Sequence, residues 1–563
     1  MATSKMKKRQ LGGRGPSWPA RLILEEGLDL NSLYVNGRIT TMEPDLPECE
    51  ALCVQNGRIS YTGSEQGARA LLAGLPFRTI DLQGLRVLPG IIDAHAHLSL
   101  FSIEWSNLRL KSLTSLDAIL GEVRAKVETT PGGEWIRGSG YNHLTLKEGR
   151  HPTRADLDRV APHHPVMLTR TCGHIAAVNT EALRRAGLSL HESDPEGGRF
   201  DRNADGSLNG VLYDQAISAV QSASVPEKEQ LKQWMEEGAR VWAQAGITAV
   251  HDAGGIPGYL KVLAEAFREG RIPQRIDAMV WNGLGVDQLS EFLPSHISTG
   301  FHRGELYIGA AKIMMDGSSS GPTAATRSPY AIDPSFDGIL YRSAEELRRW
   351  IKAAVDEGFQ VTAHAVGDRA VAIAAEVIGE AGDLHRRNRI EHCAMCPADL
   401  RQVLVRHQIT PVAQPGFLYE FGDGYVESYG WDRGAYMFPL RSWLNAGLAV
   451  AGSSDSPVTD FRPLSGIAAA VTRETVKGQV LADDERISIH EAIGLYTVNP
   501  ARLVFAEHEL GRLAAGYRAN LVVLGEDILK LEGASRIRDC PVFMTVIDDK
   551  PVWQDPSYFA VEP

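Results

Sequence analysis

The stretch Leu88-Pro89-Gly90-Ile91-Ile92-Asp93-Ala94-His95-Ala96-His97 carries an apolar run into two histidines spaced i, i+2. On an extended chain such positions share a face, so both imidazoles can reach one metal ion from the end of a strand. A His-x-His pair alone is a weak signal; its place at the end of an apolar strand is what favours a metal site. Further histidines end two other short runs, His364 in Val361-Thr362-Ala363-His364-Ala365-Val366-Gly367-Asp368 and His392 in Arg389-Ile390-Glu391-His392. Asp455 follows Ala451-Gly452-Ser453-Ser454, and Lys312 lies inside an apolar segment, where an unpaired ammonium is costly to bury. Each has a plainer reading: His364 as a satisfied core histidine, Asp455 as a helix N-cap, and Lys312 as an outward group paired with Asp316 or Glu305. Six polar groups near the same ends of successive runs argue instead for one site.

The elements that must position these groups are short apolar runs alternating with helical segments, the pattern of parallel βα units. Candidate strands fall at residues 87–92, 247–251, 276–280, 306–314, 360–364, 389–392, 409–414 and 448–452. Eight such units close a (β/α)8 TIM barrel, expected over residues 87–504, with its active site at the C-terminal ends of the strands. The long first interval predicts an inserted subdomain at residues 100–240 beside the mouth. Asn-Gly-Arg-Ile occurs at residues 36–39 and again at 56–59, and Asn-Gly favours hairpin turns. Short strand-like runs recur near the far end, so residues 29–86 and 505–563 together predict a β-sandwich domain built from both chain ends. Residues 1–28, interrupted by Gly12, Gly13, Gly15, Pro16 and Pro19, predict a mobile tail.

The 563 residues are 44% hydrophobic and 23% charged, a soluble globular composition that excludes disordered, fibrous and disulfide-stapled classes. A net charge of −12 without basic blocks argues against a nucleic-acid surface and for a small-molecule substrate. Six scattered cysteines point to a reducing compartment, the cytoplasm by default. No apolar run long enough for export or membrane spanning is present, so no membrane partner is expected. Cys393-Ala394-Met395-Cys396 lacks a second cysteine pair to complete a structural zinc site and reads as packing at a helix start. His251-Asp252 reads as a hydrogen-bonded structural pair.

The set His95, His97, Lys312, His364, His392 and Asp455, with strand-forming segments at both chain ends, resembles the amidohydrolase superfamily. The long insert and the phrases Lys312-Ile313-Met314-Met315-Asp316-Gly317, Ala363-His364-Ala365-Val366-Gly367-Asp368 and Ser453-Ser454-Asp455-Ser456-Pro457 are similar to its YtcJ-like (amidohydrolase 3) branch, which includes N-substituted formamide deformylases. The resemblance implies one or two divalent metal ions, most often zinc. His95, His97 and Asp455 would hold the first ion, His364 and His392 the second, and an N6-carboxylated Lys312 would bridge them. It also implies Asp455 as the catalytic proton carrier and Tyr141 and His174 near the substrate. Ser318, in the small-residue run Gly317-Ser318-Ser319-Ser320-Gly321, suits a substrate loop, although plain turn chemistry explains that run equally well. The expected activity is hydrolysis of a non-peptide C–N bond in an amide, formamide, carbamate or cyclic amide. Deamination or ester cleavage on the same fold, or a non-catalytic assembly role, are the alternatives, and a homodimer would suit the fold.

Overall fold

The computed structural model describes residues 31–170, 175–195, 198–283, 286–381 and 383–558. The tail expected over residues 1–28 lies outside them, as does His174.

Eight parallel strands follow one another around a nearly closed barrel. They are β1 (Ile91–Ala96), β2 (Ile247–Asp252), β3 (Arg275–Gly283), β4 (Leu306–Met314), β5 (Val361–Ala365), β6 (Arg389–His392), β7 (Thr410–Ala413) and β8 (Ala451–Gly452). Strands covered on both faces have no solvent side to alternate with, which is why β1, β2 and β3 are buried at every residue. Helices on the outside supply the second layer. The helix Lys228–Gln244 turns Leu231, Met235, Ala239 and Trp242 inward at helical spacing. The helix Ala344–Asp356 starts at a capping box in which Ser343 and Glu346 bond each other's backbone N–H.

The first expected strand, at residues 87–92, divides between two sheets. Arg86–Pro89 belongs to a six-stranded sheet, and the barrel strand begins only at Ile91. Gly90 makes the crossing, because a Cβ there would lie 2.4 Å from Thr248 Oγ1. Its N–H bonds the Asn520 carbonyl at 2.8 Å, on the sandwich side. An apolar run serves a sandwich core as well as a barrel core, so hydrophobicity alone did not mark the division. The last strand is also shorter than residues 448–452, being paired only at Ala451–Gly452.

That six-stranded sheet interleaves strands from both ends of the chain, Arg38–Glu43, Leu46–Cys49 and Arg86–Pro89 with Leu521–Leu524, Val542–Ile547 and Lys550–Gln554. A four-stranded sheet from residues 31–81 packs with it through Tyr34, Leu52, Val54 and Ile59. Between β1 and β2 a separate six-stranded sheet, reaching from Leu108–Arg109 to Leu208–Asp214, forms the insert. It has its own apolar clusters, one containing Leu110, Ile119, Tyr141 and Leu168.

No ladder is formed between β1 and β8, and discrete bonds close the seam instead. Asp455 N–H donates to the His95 carbonyl at 2.7 Å, and His97 N–H to the Ser456 carbonyl at 2.9 Å. Below them the buried carboxylate of Asp93 accepts from Ser454 N–H at 3.1 Å, Ser454 Oγ at 2.6 Å and His95 N–H at 3.0 Å. Burial pushes Asp93 up to about 6, and the bonds from Ser454 and His95 pull against that rise. Asp93→Ala strips the acceptor from three buried donors and is expected to cost about 3 kcal/mol. Urea unfolding measures this, and a loss under about 1 kcal/mol would show that the seam closes without Asp93.

Candidate active site

Parallel register sets the interior of the barrel in levels. Trp281 on β3, Lys312 on β4, Thr362 on β5 and Arg389 on β6 are successive register partners, and Met314, His364 and Glu391 form the next level toward the mouth. Alternation therefore turns Lys312 inward. Its Nζ lies 3.0 Å from His95 Nε2, and Glu305 pairs instead with Arg518. His95 and His97 reach the same mouth from the end of β1, and Asp455 meets them across the seam. Its Oδ1 is 3.3 Å from each of their Nε2 atoms.

His392 presents a puzzle of parity, since Glu391 next to it already faces inward. The answer is in the backbone: His392 and Cys393 have φ of 68° and 50°, so the chain leaves the strand in the left-handed region and swings the imidazole back over the mouth. Its ring centre lies 5.0 Å from that of His95 and 4.4 Å from that of His364. Asp455, with φ of 55°, uses the same device at the end of β8.

Each imidazole has one nitrogen bound to an acceptor and the other left for the centre. His97 Nδ1–H donates to Gly254 O at 2.7 Å, His364 Nε2–H to Gly317 O at 3.2 Å and His392 Nδ1–H to Gln414 Oε1 at 2.8 Å. His95 Nδ1–H donates to Glu391. Such bonds fix tautomer and ring plane as second-layer groups do around bound metals. One donor atom each from His95, His392 and Asp455 lie within 4.8 Å of one another, close enough to share an ion.

The protonation states agree with that use. Burial holds His97 below its ordinary value, holds His364 well below it and brings His392 down to about 4, leaving these rings neutral. Burial would raise Asp455, yet its contacts with the His95, His97 and His392 imidazoles outweigh it and hold the carboxyl well below the usual range. Burial also lowers Lys312 to about 8, against the pull of Glu391 and Asp455. Neutral imidazoles, an ionised carboxylate and a lysine able to shed its proton are the forms that bind metal ions.

Beneath this layer lie groups that sequence spacing does not mark as part of a site. Glu391 is fully buried, and it binds Arg389 Nη2 at 2.9 Å and Thr362 Oγ1 at 2.8 Å as well as His95. Arg389 continues to the Ala94 carbonyl at 2.6 Å and to His251 Nδ1 at 3.1 Å. The available signal was two charged residues, i and i+2, on a strand otherwise too buried to hold them. His251 and Asp252 are each bonded elsewhere rather than to one another, Asp252 to Tyr259, because adjacent strand residues face opposite ways.

The other residues singled out by the sequence have these surroundings. Tyr141 sits in the apolar core of the insert with its hydroxyl 3.0 Å from His151 Nδ1. Ser318 is exposed one residue beyond Gly317, and its Oγ lies 3.1 Å from that of Ser320. Cys393 and Cys396 are buried free thiols just before the helix Ala398–His407.

A parallel eight-stranded barrel that gathers imidazoles, a carboxylate and a lysine at one mouth is the architecture of metal-assisted hydrolases. The chain belongs to the amidohydrolase family, whose model matches residues 78–553. It is 30% identical to the putative amidohydrolase YtcJ of Bacillus subtilis, covering 93% of this chain and 100% of that one. It is 28% identical to an N-substituted formamide deformylase of Arthrobacter pascens, covering 92% and 97%. Among solved structures it is similar to an uncharacterized metal-dependent hydrolase of Pyrococcus furiosus, with a TM-score of 0.75, 27% identity and coverage of 89% and 100%.

Glu391→Gln keeps the volume and one acceptor for His95 but removes the charge. Zinc affinity, measured by competition with a chromogenic chelator, is expected to fall by about 10–100-fold with the circular dichroism unchanged. Unchanged affinity would make Glu391 a partner of Arg389 only.

Proposed function

We propose that the protein is a metal-dependent hydrolase of a non-peptide C–N bond, in an amide, an N-substituted formamide, a carbamate or a cyclic amide. The observation that carries this is the pinning of all four imidazoles, each through the nitrogen facing away from the centre. The relatives named for formamide deformylation and for metal-dependent hydrolysis support the same reading.

His95, His97 and Asp455 would hold one divalent ion, zinc by the chemistry of the donors, and His364 and His392 a second, with N6-carboxylated Lys312 between them. Ions bound there supply Lewis acidity, making water a nucleophile near neutral pH and drawing electrons from the scissile carbonyl. The protein's own groups do the rest. Asp455, ionised and within reach of both His95 and His97, takes the proton of the attacking water on a carboxylate oxygen and returns it to the leaving nitrogen. Glu391 keeps the His95 ring in one orientation, and Gln414 does so for His392. Lys312, already lowered to about 8, offers a neutral amine to CO2, and the carbamate that forms replaces a cation with an anionic oxygen ligand.

Elemental analysis is expected to find about two divalent ions per chain, and chelation is expected to abolish turnover of a panel of N-formyl, N-acyl and carbamate compounds. Full activity without metal would overturn the proposal. Release of ammonia rather than an amine and a carboxylate would make the enzyme a deaminase, and release of an alcohol an esterase.

Asp455→Asn is expected to lower kcat by about 10²–10⁴-fold while metal remains bound. Normal turnover in that variant would leave Asp455 as a seam and cap residue. Lys312→Ala is expected to lose metal and activity, both partly restored by added short-chain carboxylates. A lysine free of added mass in active, metal-replete protein would refute carboxylation.

A further inference from the structure

Trp281 is on β3 at the register level of Lys312, whose Nζ is 5.8 Å from the centre of an indole ring that also lies 6.2 Å from the His97 ring. The residue is only 9% exposed, and its Nε1–H has no hydrogen-bond partner among the described residues. A buried indole N–H without an acceptor is unfavourable and calls for an explanation. Trp242 and Trp443 share the condition, but they lie on outer helices, Lys228–Gln244 and Leu440–Asn445. Trp281 alone among these three stands on the barrel wall beside the proposed ligands.

Two glycines shape its position. A Cβ on Gly254 would come within 3.0 Å of the Trp281 Cβ and Cε3, so the bare backbone lets the ring lie flat against the end of β2. Gly283 is two residues further along β3 and so on the same face, one step nearer the mouth. A Cβ there would be 3.3 Å from Trp281 Nε1 and 2.2 Å from Met314 Cγ. The nitrogen edge of the indole is thus turned toward the mouth, and Met314, an unbranched and adaptable side chain, is the group beside it.

We propose that Trp281 Nε1–H donates a hydrogen bond to an oxygen of the substrate's acyl group. This rests on the hydrolase reading and narrows its substrate: an indole is a donor only, so it accepts no N–H from an amidine or an aromatic amine but binds a carbonyl or carboxylate oxygen. The contact favours substrates that present an acceptor oxygen at this edge, as amides, formamides and carbamates do.

Acetate serves as a probe for the product carboxylate. In metal-loaded protein labelled with ¹⁵N-tryptophan, one of ten indole resonances disappears in Trp281→Phe and identifies the group, with Trp281→Tyr as a second route to the assignment. Saturating acetate is expected to shift that resonance. Trp281→Phe, with metal content and melting temperature unchanged, is expected to bind acetate about tenfold more weakly and to lose at least about tenfold in kcat/KM on the hydrolysed panel compounds. A shift in a protein that hydrolyses nothing would support the contact and count against the hydrolase reading. Hydrolysis by a wild-type protein whose resonance stays fixed under acetate, with Trp281→Phe within about twofold in kcat/KM, would overturn the contact and leave the hydrolase reading standing.

Discussion

The active-site groups meet only because the first and last barrel strands are joined. His95 and His97 end β1, Asp455 follows β8, and no strand ladder holds those two strands together. A buried carboxylate takes the ladder's place, as Asp93 binds Ser454 across 361 positions of sequence and His95 along its own strand. With those donors satisfied, the backbone bond from Asp455 to His95 sets the distance at which the Asp455 carboxylate faces two imidazoles. The seam that completes the fold and the geometry that could hold a metal are one set of contacts.

Beneath the imidazoles lies a buried ion pair that hydrophobic packing would avoid. Taking Arg389 and Glu391 out of water is costly, and their mutual attraction recovers that cost only when every remaining donor and acceptor is matched. Here Thr362 on β5, Ala94 and His95 on β1 and His251 on β2 supply partners from three different strands. The same contacts fix the one histidine ring that also touches Lys312. A neutral or apolar floor would pack as well but would leave the His95 tautomer undetermined.

Three of the chain's positive-φ non-glycine residues stand at the mouth. Non-glycine residues seldom adopt positive φ, yet His392, Cys393 and Asp455 all do. At His392 regular strand geometry would have sent the imidazole to the other side of the sheet from Glu391. The insert and the sandwich have cores of their own and contribute none of the six-residue set. The same barrel hosts many chemistries because such surrounding parts, rather than the strands, shape the pocket.

The amino-acid sequence by itself determined the barrel, the sandwich formed by both chain ends and the six candidate residues that the structure brings to one mouth. Strand periodicity, histidine spacing and a lysine in an apolar run are local features, legible without coordinates. Trp281, Gln414 and the Arg389–Glu391 pair were not legible as parts of the site, since their importance lies in what they touch from other strands. The division of residues 87–92 between two sheets was equally hidden, because burial looks the same in either core. Tertiary structure alone decided which nitrogen of each imidazole is free, that His392 escapes strand alternation, and that Asp455 faces two histidines at 3.3 Å. Those facts depend on register and closure, which are properties of strands placed side by side and not of any one segment.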